Sequence, residues 1–474
     1  MSALAFTTQP GTTAAGGNLP VVVSVRDGSG NTLTCFNDAV TIALGANPGG
    51  ATLNGAATVT AASGVATFTS LNITKAANGY TLTASIGNTT GTSSPFNIIA
   101  GPANALAFTT QPPPTTLAAG AAFSVTVTAR DQFGNTATGF ASSVTMTIGS
   151  NPGGGTLGGA TAVTAAAGIA TFGNLSINKV GNGYTLTATP TAGAPPTAAT
   201  SSAFNINPGP TTQLVFTTPP ANGSAGLPLA AIVVTAQDAQ GNPTPAFTSN
   251  VTLAIVTNAG AGTLSGGGPI AAVLGVATFN AVSINRPGTG YTLAAASGAL
   301  TTAPSGPFNI AVGPLAQLVF TQQPTDAVAG VALAPAVTVT GQDAAGNTVT
   351  TFAGNVTVAI GTNAGGGTIT GTQTQAAAAG VATFSDLSID KAGVGYTLAA
   401  SSGVVTPVVS TAFTINPADA AKLSFTVQPS TTAAGSAITP AVKVTALDQF
   451  DNVATSFTGN VTVAIGTNAN AGTL

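Results

Sequence analysis

The sequence predicts an all-β protein, built as a tandem series of antiparallel β-sandwiches. Three observations predict it. The stretch Gly79-Tyr80-Thr81-Leu82-Thr83-Ala84 returns over 183–188, 290–295 and 395–400, with Ala for the second Thr in the last two copies. Tyr80, Tyr184, Tyr291 and Tyr396 therefore lie 104, 107 and 105 residues apart, and they are the only tyrosines in the chain. Apolar residues otherwise alternate with Thr, Ser or Ala in short runs, the period of a half-buried strand. Gly and Pro punctuate these runs about every ten residues, and none has helical period. A chain self-similar at such a distance repeats one domain.

The 474 residues hold four repeats and part of a fifth. The boundaries fall at 1–101, 102–208, 209–312, 313–416 and 417–474. Each repeat opens on Leu-x-Phe (Leu4 and Phe6, Leu106 and Phe108, Leu214 and Phe216, Leu318 and Phe320, Leu423 and Phe425). A proline follows shortly, which confines this strand to a sheet edge because proline has no N–H for a ladder. An Ala-Gly pair then suits a turn, as at Ala15-Gly16 and Ala119-Gly120.

The second strand shows clean alternation, Leu19, Val21, Val23 and Val25 in the first repeat. It ends at an aspartate in the motif Asp-x-x-Gly-Asn, present as 27–31, 131–135, 238–242 and 343–347. In the fifth copy, 448–452, Asp451 replaces the glycine, and Asp is among the few residues that tolerate positive φ. The leading aspartate can accept hydrogen bonds from N–H groups of its own turn. Asp27, Asp131, Asp238, Asp343 and Asp448 are thus turn-capping residues first.

A phenylalanine comes after every such turn: Phe36, Phe140, Phe247, Phe352 and Phe457. Next is an alternating strand (Val40, Ile42, Leu44; in the fifth repeat Val461, Val463, Ile465), followed by a glycine-rich loop. Short apolar runs around Phe68, Leu71 and Ile73 precede the tyrosine strand, and Phe96-Asn97-Ile98 closes the repeat. Seven or eight short strands per repeat match an antiparallel sandwich of immunoglobulin type. The junctions are short and carry prolines (Pro102, Pro208, Pro210, Pro314, Pro417), which predicts limited bending between repeats.

Composition narrows function. Charged residues are 4% of the chain and the net charge is −3, so nothing here attracts nucleic acid or an anionic membrane. Apolar runs fall far short of the roughly 20 residues that span a bilayer. With Met1 already in the first repeat, no export signal is visible, and the fifth repeat stops after its fourth strand. The chain reads as a fragment. It has no His, no Glu and one cysteine, so it lacks the parts of the usual triads and thiol dyads, and no enzymatic activity is expected. Cys35 aligns with Gly139, Ala246, Thr351 and Ser456 and reads as a half-exposed strand residue.

The Tyr-x-Leu pattern resembles the tyrosine corner of immunoglobulin-like domains, with Leu82, Leu186, Leu293 and Leu398 where antibody domains carry their second cysteine. Val23 and Val127 replace the opposing cysteine, and no Trp fills the core. Together with the aspartate turn and the phenylalanine after it, the pattern looks like the bacterial immunoglobulin-like repeats of invasin- and intimin-like adhesins and other large surface proteins. The resemblance implies a structural stalk, extracellular or at the cell surface, whose partner would be a host or neighbouring-cell surface met by regions outside this stretch. Spacer repeats in a large extracellular hydrolase and a glycan- or protein-binding module are the alternatives.

The resemblance also brings calcium forward, since such stalks are sometimes stiffened by it. Calcium wants six to eight oxygens, several from carboxylates. Asp27, Asp131, Asp238, Asp343 and Asp448 offer one carboxylate each, and Asp326 and Asp419 have no counterparts in earlier repeats, so no cofactor is expected. Lys75, Lys179 and Lys391 precede the tyrosine strand and invite a Lys–Asn crosslink, but without a Glu beside them a solvated charge is the plainer reading. The tyrosines are read as structural, each ring inward and each hydroxyl bonded back to backbone.

Overall fold

The computed structural model describes residues 2–115, 117–191, 193, 195–403 and 405–474. Among them the regular structure is β-strand throughout. The chain divides into two compact units, Met1–Gln213 with Ala236–Thr244, and Leu214–Thr235 with Pro245–Leu474.

The first repeat serves as the pattern. Its strands are β1 (Ala3–Thr8), β2 (Thr13–Ala14), β3 (Val21–Arg26), β4 (Ala39–Leu44), β5 (Leu53–Asn54), β6 (Thr58–Thr60), β7 (Val65–Phe68), β8 (Asn72–Ile73), β9 (Ala77–Tyr80), β10 (Leu82–Ile86), β11 (Thr89–Thr92) and β12 (Phe96–Ile99). One sheet runs β1-β3-β7, antiparallel throughout, with β1 at the edge as its proline requires. The other is carried by the tyrosine strand: β9 pairs with β12, and β10 pairs with β4 and β11. In the third repeat the equivalent strand, Gly288–Ser297, is unbroken and joins Phe308–Ala311 to Asn250–Thr257 in one sheet. The twelve short strands exceed the expected seven or eight for two reasons. Thr81 interrupts one strand to make β9 and β10, and β2, β5 and β8 are two-residue ladders.

Alternation places the core. Val21, Val23 and Val25 from one sheet and Val40, Ile42, Leu82 and Ala84 from the other meet in a single apolar cluster with Phe68, Leu71, Ile73 and Tyr80. At about 25 cal/mol per Å² of apolar surface, each buried Val, Leu, Ile or Phe among them contributes on the order of 2 kcal/mol before conformational entropy is subtracted. The second and fourth repeats build equivalent clusters around Tyr184 and Tyr396.

Two expectations need correction. Cys35 is exposed and sits in a turn rather than a strand. In the fifth repeat only Lys422–Val427 and Lys443–Leu447 pair, and the alternating Val461, Val463 and Ile465 form no strand. In the complete repeats that segment is held by the tyrosine strand, and residues 417–474 contain no such strand.

Candidate functional site

The polar groups that this fold collects lie where successive repeats meet, and two of the sequence motifs build them. Among the described residues no group of three or more His, Cys, Asp or Glu side chains comes together.

The first motif is the tyrosine. All four rings are fully buried, each beside the phenylalanine of the closing strand at 6.0–6.1 Å between centroids. Each hydroxyl donates to the carbonyl five residues earlier: Tyr80 to Lys75 (2.9 Å), Tyr184 to Lys179 (2.9 Å), Tyr291 to Arg286 (3.0 Å) and Tyr396 to Lys391 (3.0 Å). This is the tyrosine corner. Burial pushes the Tyr80, Tyr184 and Tyr396 hydroxyls above the ordinary tyrosine pKa, so they stay protonated and able to donate. The hydroxyl also explains the glycine-rich loop. A Cβ on Gly153 would lie 2.5 Å from the Tyr184 oxygen and 2.2 Å from the Val180 carbonyl, so no larger residue fits.

The second motif is the Asp-x-x-Gly-Asn turn. Asp131 Oδ1 accepts from the N–H groups of Phe133 and Asn135, both at 2.9 Å, which is the capping role read from sequence. Oδ2 does something else. It accepts from Asn135 Nδ2 (2.9 Å) and from the N–H of Gly101 in the linker from the first repeat (2.9 Å). Asn135 then reaches back across the joint: its Nδ2 donates to the Thr74 carbonyl (2.8 Å) and its Oδ1 accepts from the Ala76 N–H (3.0 Å). The residues it grips flank Lys75, whose carbonyl the Tyr80 hydroxyl holds. Phe133, in the same turn, packs against the core of the first repeat over Gly16, where a Cβ would lie 2.4 Å from the ring.

The same clasp recurs within each unit. In the first unit Asn242 donates to the Asn178 carbonyl (3.0 Å) and accepts from the Val180 N–H (3.4 Å), while Asp238 takes the Gly209 N–H (3.0 Å). In the second unit Asn347 donates to the Asn285 carbonyl (2.9 Å) and Asp343 takes the Gly313 N–H (2.9 Å). The return bond is missing at that joint because Pro287 has no N–H to give. Asn452 restores the full set, with the Asp390 carbonyl (2.8 Å) and the Ala392 N–H (2.9 Å), and Asp448 takes the Ala418 N–H (3.0 Å). Asp451 holds the turn with φ of 65°, the conformation its glycine counterparts adopt.

Burial opposes ionisation of Asp131, Asp238, Asp343 and Asp448, but the carboxamides and N–H groups around each outweigh it, and all four sit below the ordinary aspartate pKa. Their oxygens face hydrogen-bond donors, an arrangement that suits a carboxylate rather than a cation cage. Two of the lysines also reach across their joints. Lys179 Nζ donates to the Gln240 carbonyl (3.4 Å) and Lys391 Nζ to the Phe450 carbonyl, each in the turn that clasps its loop. Neither bond is to an asparagine side chain.

Sequence reasoning found the aspartate and missed the asparagine. The signal was present: an Asn stands at the fifth position of all five copies, and its carboxamide has more hydrogen-bonding capacity than its bond to the turn's own aspartate uses.

The pairing order, the tyrosine corner and the repeated joint define the class, a tandem array of immunoglobulin-like β-sandwiches. No protein-family model and no curated protein matches the chain. Among solved structures it is similar to invasin, a bacterial integrin-binding protein, at 16% identity over 90% of this chain and 82% of that one, with a TM-score of 0.28. It is similar to domains 4–9 of the surface layer protein SbsC at 18% identity over 94% and 71%, with a TM-score of 0.20. With extracellular cadherin domains 1–4 of protocadherin gamma B7 the values are 13%, 80%, 91% and 0.31. Scores this low carry no functional inference, and the fold assignment stands on the strand pairing itself.

Proposed function

We propose that this chain is a non-catalytic, metal-free structural stalk of a bacterial cell-surface or secreted protein, part of an adhesin, acting outside the cell. The observation that carries the reading is the joint. One hydrogen-bonded clasp, with a short proline-bearing linker under it, recurs wherever one repeat follows another within a unit. A chain that only needed tethered domains would have no use for it. The lack of His and Glu supports the non-catalytic part, and the donor-filled aspartates support the metal-free part. Partner binding, to a host or neighbouring-cell surface, then falls to regions beyond this stretch.

Small-angle scattering tests the mechanical reading. With principal strands of six residues at ~3.3 Å each, a repeat adds roughly 20 Å before its turns, and an elongated profile is expected. A compact profile would sink it. For the metal, adding calcium to chelator-treated protein should leave the melting temperature unchanged, and a rise of many degrees would overturn that part.

A binding role gains one specific observation. The tight turn before the Phe279 strand carries Val273 and Leu274, 72% and 71% exposed, where the first repeat has Ala62 and Ser63 and the others have only alanine. Leu274 also sits at φ of 50°, a conformation that costs a large side chain free energy. Val273→Ala with Leu274→Ala, compared with the parent chain for binding to glycan and protein arrays, tests whether this tip is used.

A further inference from the structure

We propose that each complete repeat is a tension-bearing element, closed by a seam between its entering and leaving segments that a side-chain oxygen latches. The seam lies inside a repeat, apart from the joints, and the proposal holds whether or not the array serves as a stalk.

Chain order creates the seam. Tension between the ends of a repeat draws its first residues one way and its last residues the other. In the first repeat the chain leaves β1 and crosses to the opposite sheet as β2. There it lies parallel to the closing strand β12, with Thr13 against Ile98 and Ala14 against Ile99. Two parallel strands drawn from opposite ends slide along each other, so their evenly spaced bonds are loaded together rather than opened one at a time. The same parallel pair recurs as Leu117 with Ile206, Gly223 with Ile310 and Ala327 with Ile415. Just beyond it, the alanine of the Ala-Gly turn donates to the closing segment in all four: Ala15 to Ile99, Ala119 to Asn207, Ala225 to Ala311 and Ala329 to Asn416, each at 2.8 Å.

Side chains extend the seam. Gln9, in the Gln-Pro that follows the first strand, accepts from the Ser94 N–H (2.8 Å). Gln111 takes the Ser202 N–H (2.9 Å) and Gln323 the Thr411 N–H (3.0 Å). In the third repeat Pro219 stands where the glutamine would be, and the latch moves along the segment: Asn222 accepts from the Asn309 N–H (2.7 Å). Asp326, the residue equivalent to Asn222, holds the Thr414 N–H (2.7 Å) and so gives the fourth repeat both latches. What these bonds share is the pair of segments they join, the two that end-to-end tension would separate.

Single-molecule pulling on the full chain, tethered at its two ends and held at constant force, tests this. A repeat that opens from Thr13 to Ile99 adds up to about 300 Å at ~3.4 Å per residue, so four such steps are expected. Two triple variants touch the same three repeats. Gln9→Ala with Gln111→Ala and Gln323→Ala removes a latch from the first, second and fourth. Three of the four steps should then come about fivefold sooner, the rate equivalent of one net hydrogen bond, while the third repeat keeps its rate. Tyr80→Phe with Tyr184→Phe and Tyr396→Phe weakens the same three cores and leaves the seams whole. Core amides should exchange faster in that chain, yet its steps should keep the parent's rate. Unchanged step rates in the glutamine variant would overturn the proposal. So would a tyrosine variant whose steps quicken as much as those of the glutamine variant, because resistance to tension would then follow overall stability.

Discussion

The Tyr80 hydroxyl and the Asn135 carboxamide hold three consecutive residues of one loop from opposite sides of a joint. Tyr80 fixes the Lys75 carbonyl from inside the first repeat, and Asn135 takes the Thr74 carbonyl and the Ala76 N–H from the second. The corner that fastens a core thereby also sets the surface that the next repeat grips. Tyr396 and Asn452 stand in the same relation to Asp390, Lys391 and Ala392.

Removing the inner fastener should cost stability. Tyr184→Phe keeps the ring and leaves the buried Lys179 carbonyl without its donor, a loss of about 1 kcal/mol or more. Amides of the second-repeat core should exchange correspondingly faster with solvent. An unchanged rate would mean the hydroxyl contributes nothing net.

Removing the outer one should loosen the joint and spare the core. In Asn135→Ala the Ala76 amide loses its acceptor, and we expect its exchange to quicken by about tenfold, equivalent to ~1.4 kcal/mol. The β3 amides of the first repeat should keep their protection. If both sets of amides speed up together, the joint and the domain are one cooperative unit.

The joints should weaken in acid. The folded-state pKa of Asp131 lies below the reference value of 3.8, so its contribution is full above that value and is lost as pH falls through the lower folded pKa. Ala76 exchange, corrected for its intrinsic pH dependence, should accelerate below about pH 4. Asp131→Asn removes the titrating group, so that joint should be weaker at neutral pH and show no acid step.

Filling the space at the hydroxyl should be worse than removing the hydroxyl. Gly153→Ala places a Cβ against the Val180 carbonyl and the Tyr184 oxygen, both too close to be accommodated without a backbone shift. Overpacking of this kind costs about 1–3 kcal/mol, which thermal or urea denaturation of the chain would register.

Local chemistry made much of this protein legible. Period-two alternation gave the inward faces of β3, β4 and β10, proline placed β1 at an edge, and the recurrence of Tyr-x-Leu located the corner with its upstream hydrogen bond. All of these depend on residues close in sequence or on a period the chain repeats. The interruption at Thr81 and the two-residue ladders were not legible, because they depend on which distant strand lies alongside.

The sequence by itself determined an all-β repeat with a buried tyrosine and a capped aspartate turn, since alternation, turn residues and side-chain reach act over a few positions. Only the tertiary structure decided what the asparagine of that turn is for. Asn135 and Thr74 are 61 residues apart, on opposite sides of a repeat boundary, and nothing local to either selects the other. They meet because the second repeat's strand Phe123–Arg130 ends where the linker delivers it, beside a loop that a buried hydroxyl already holds in place.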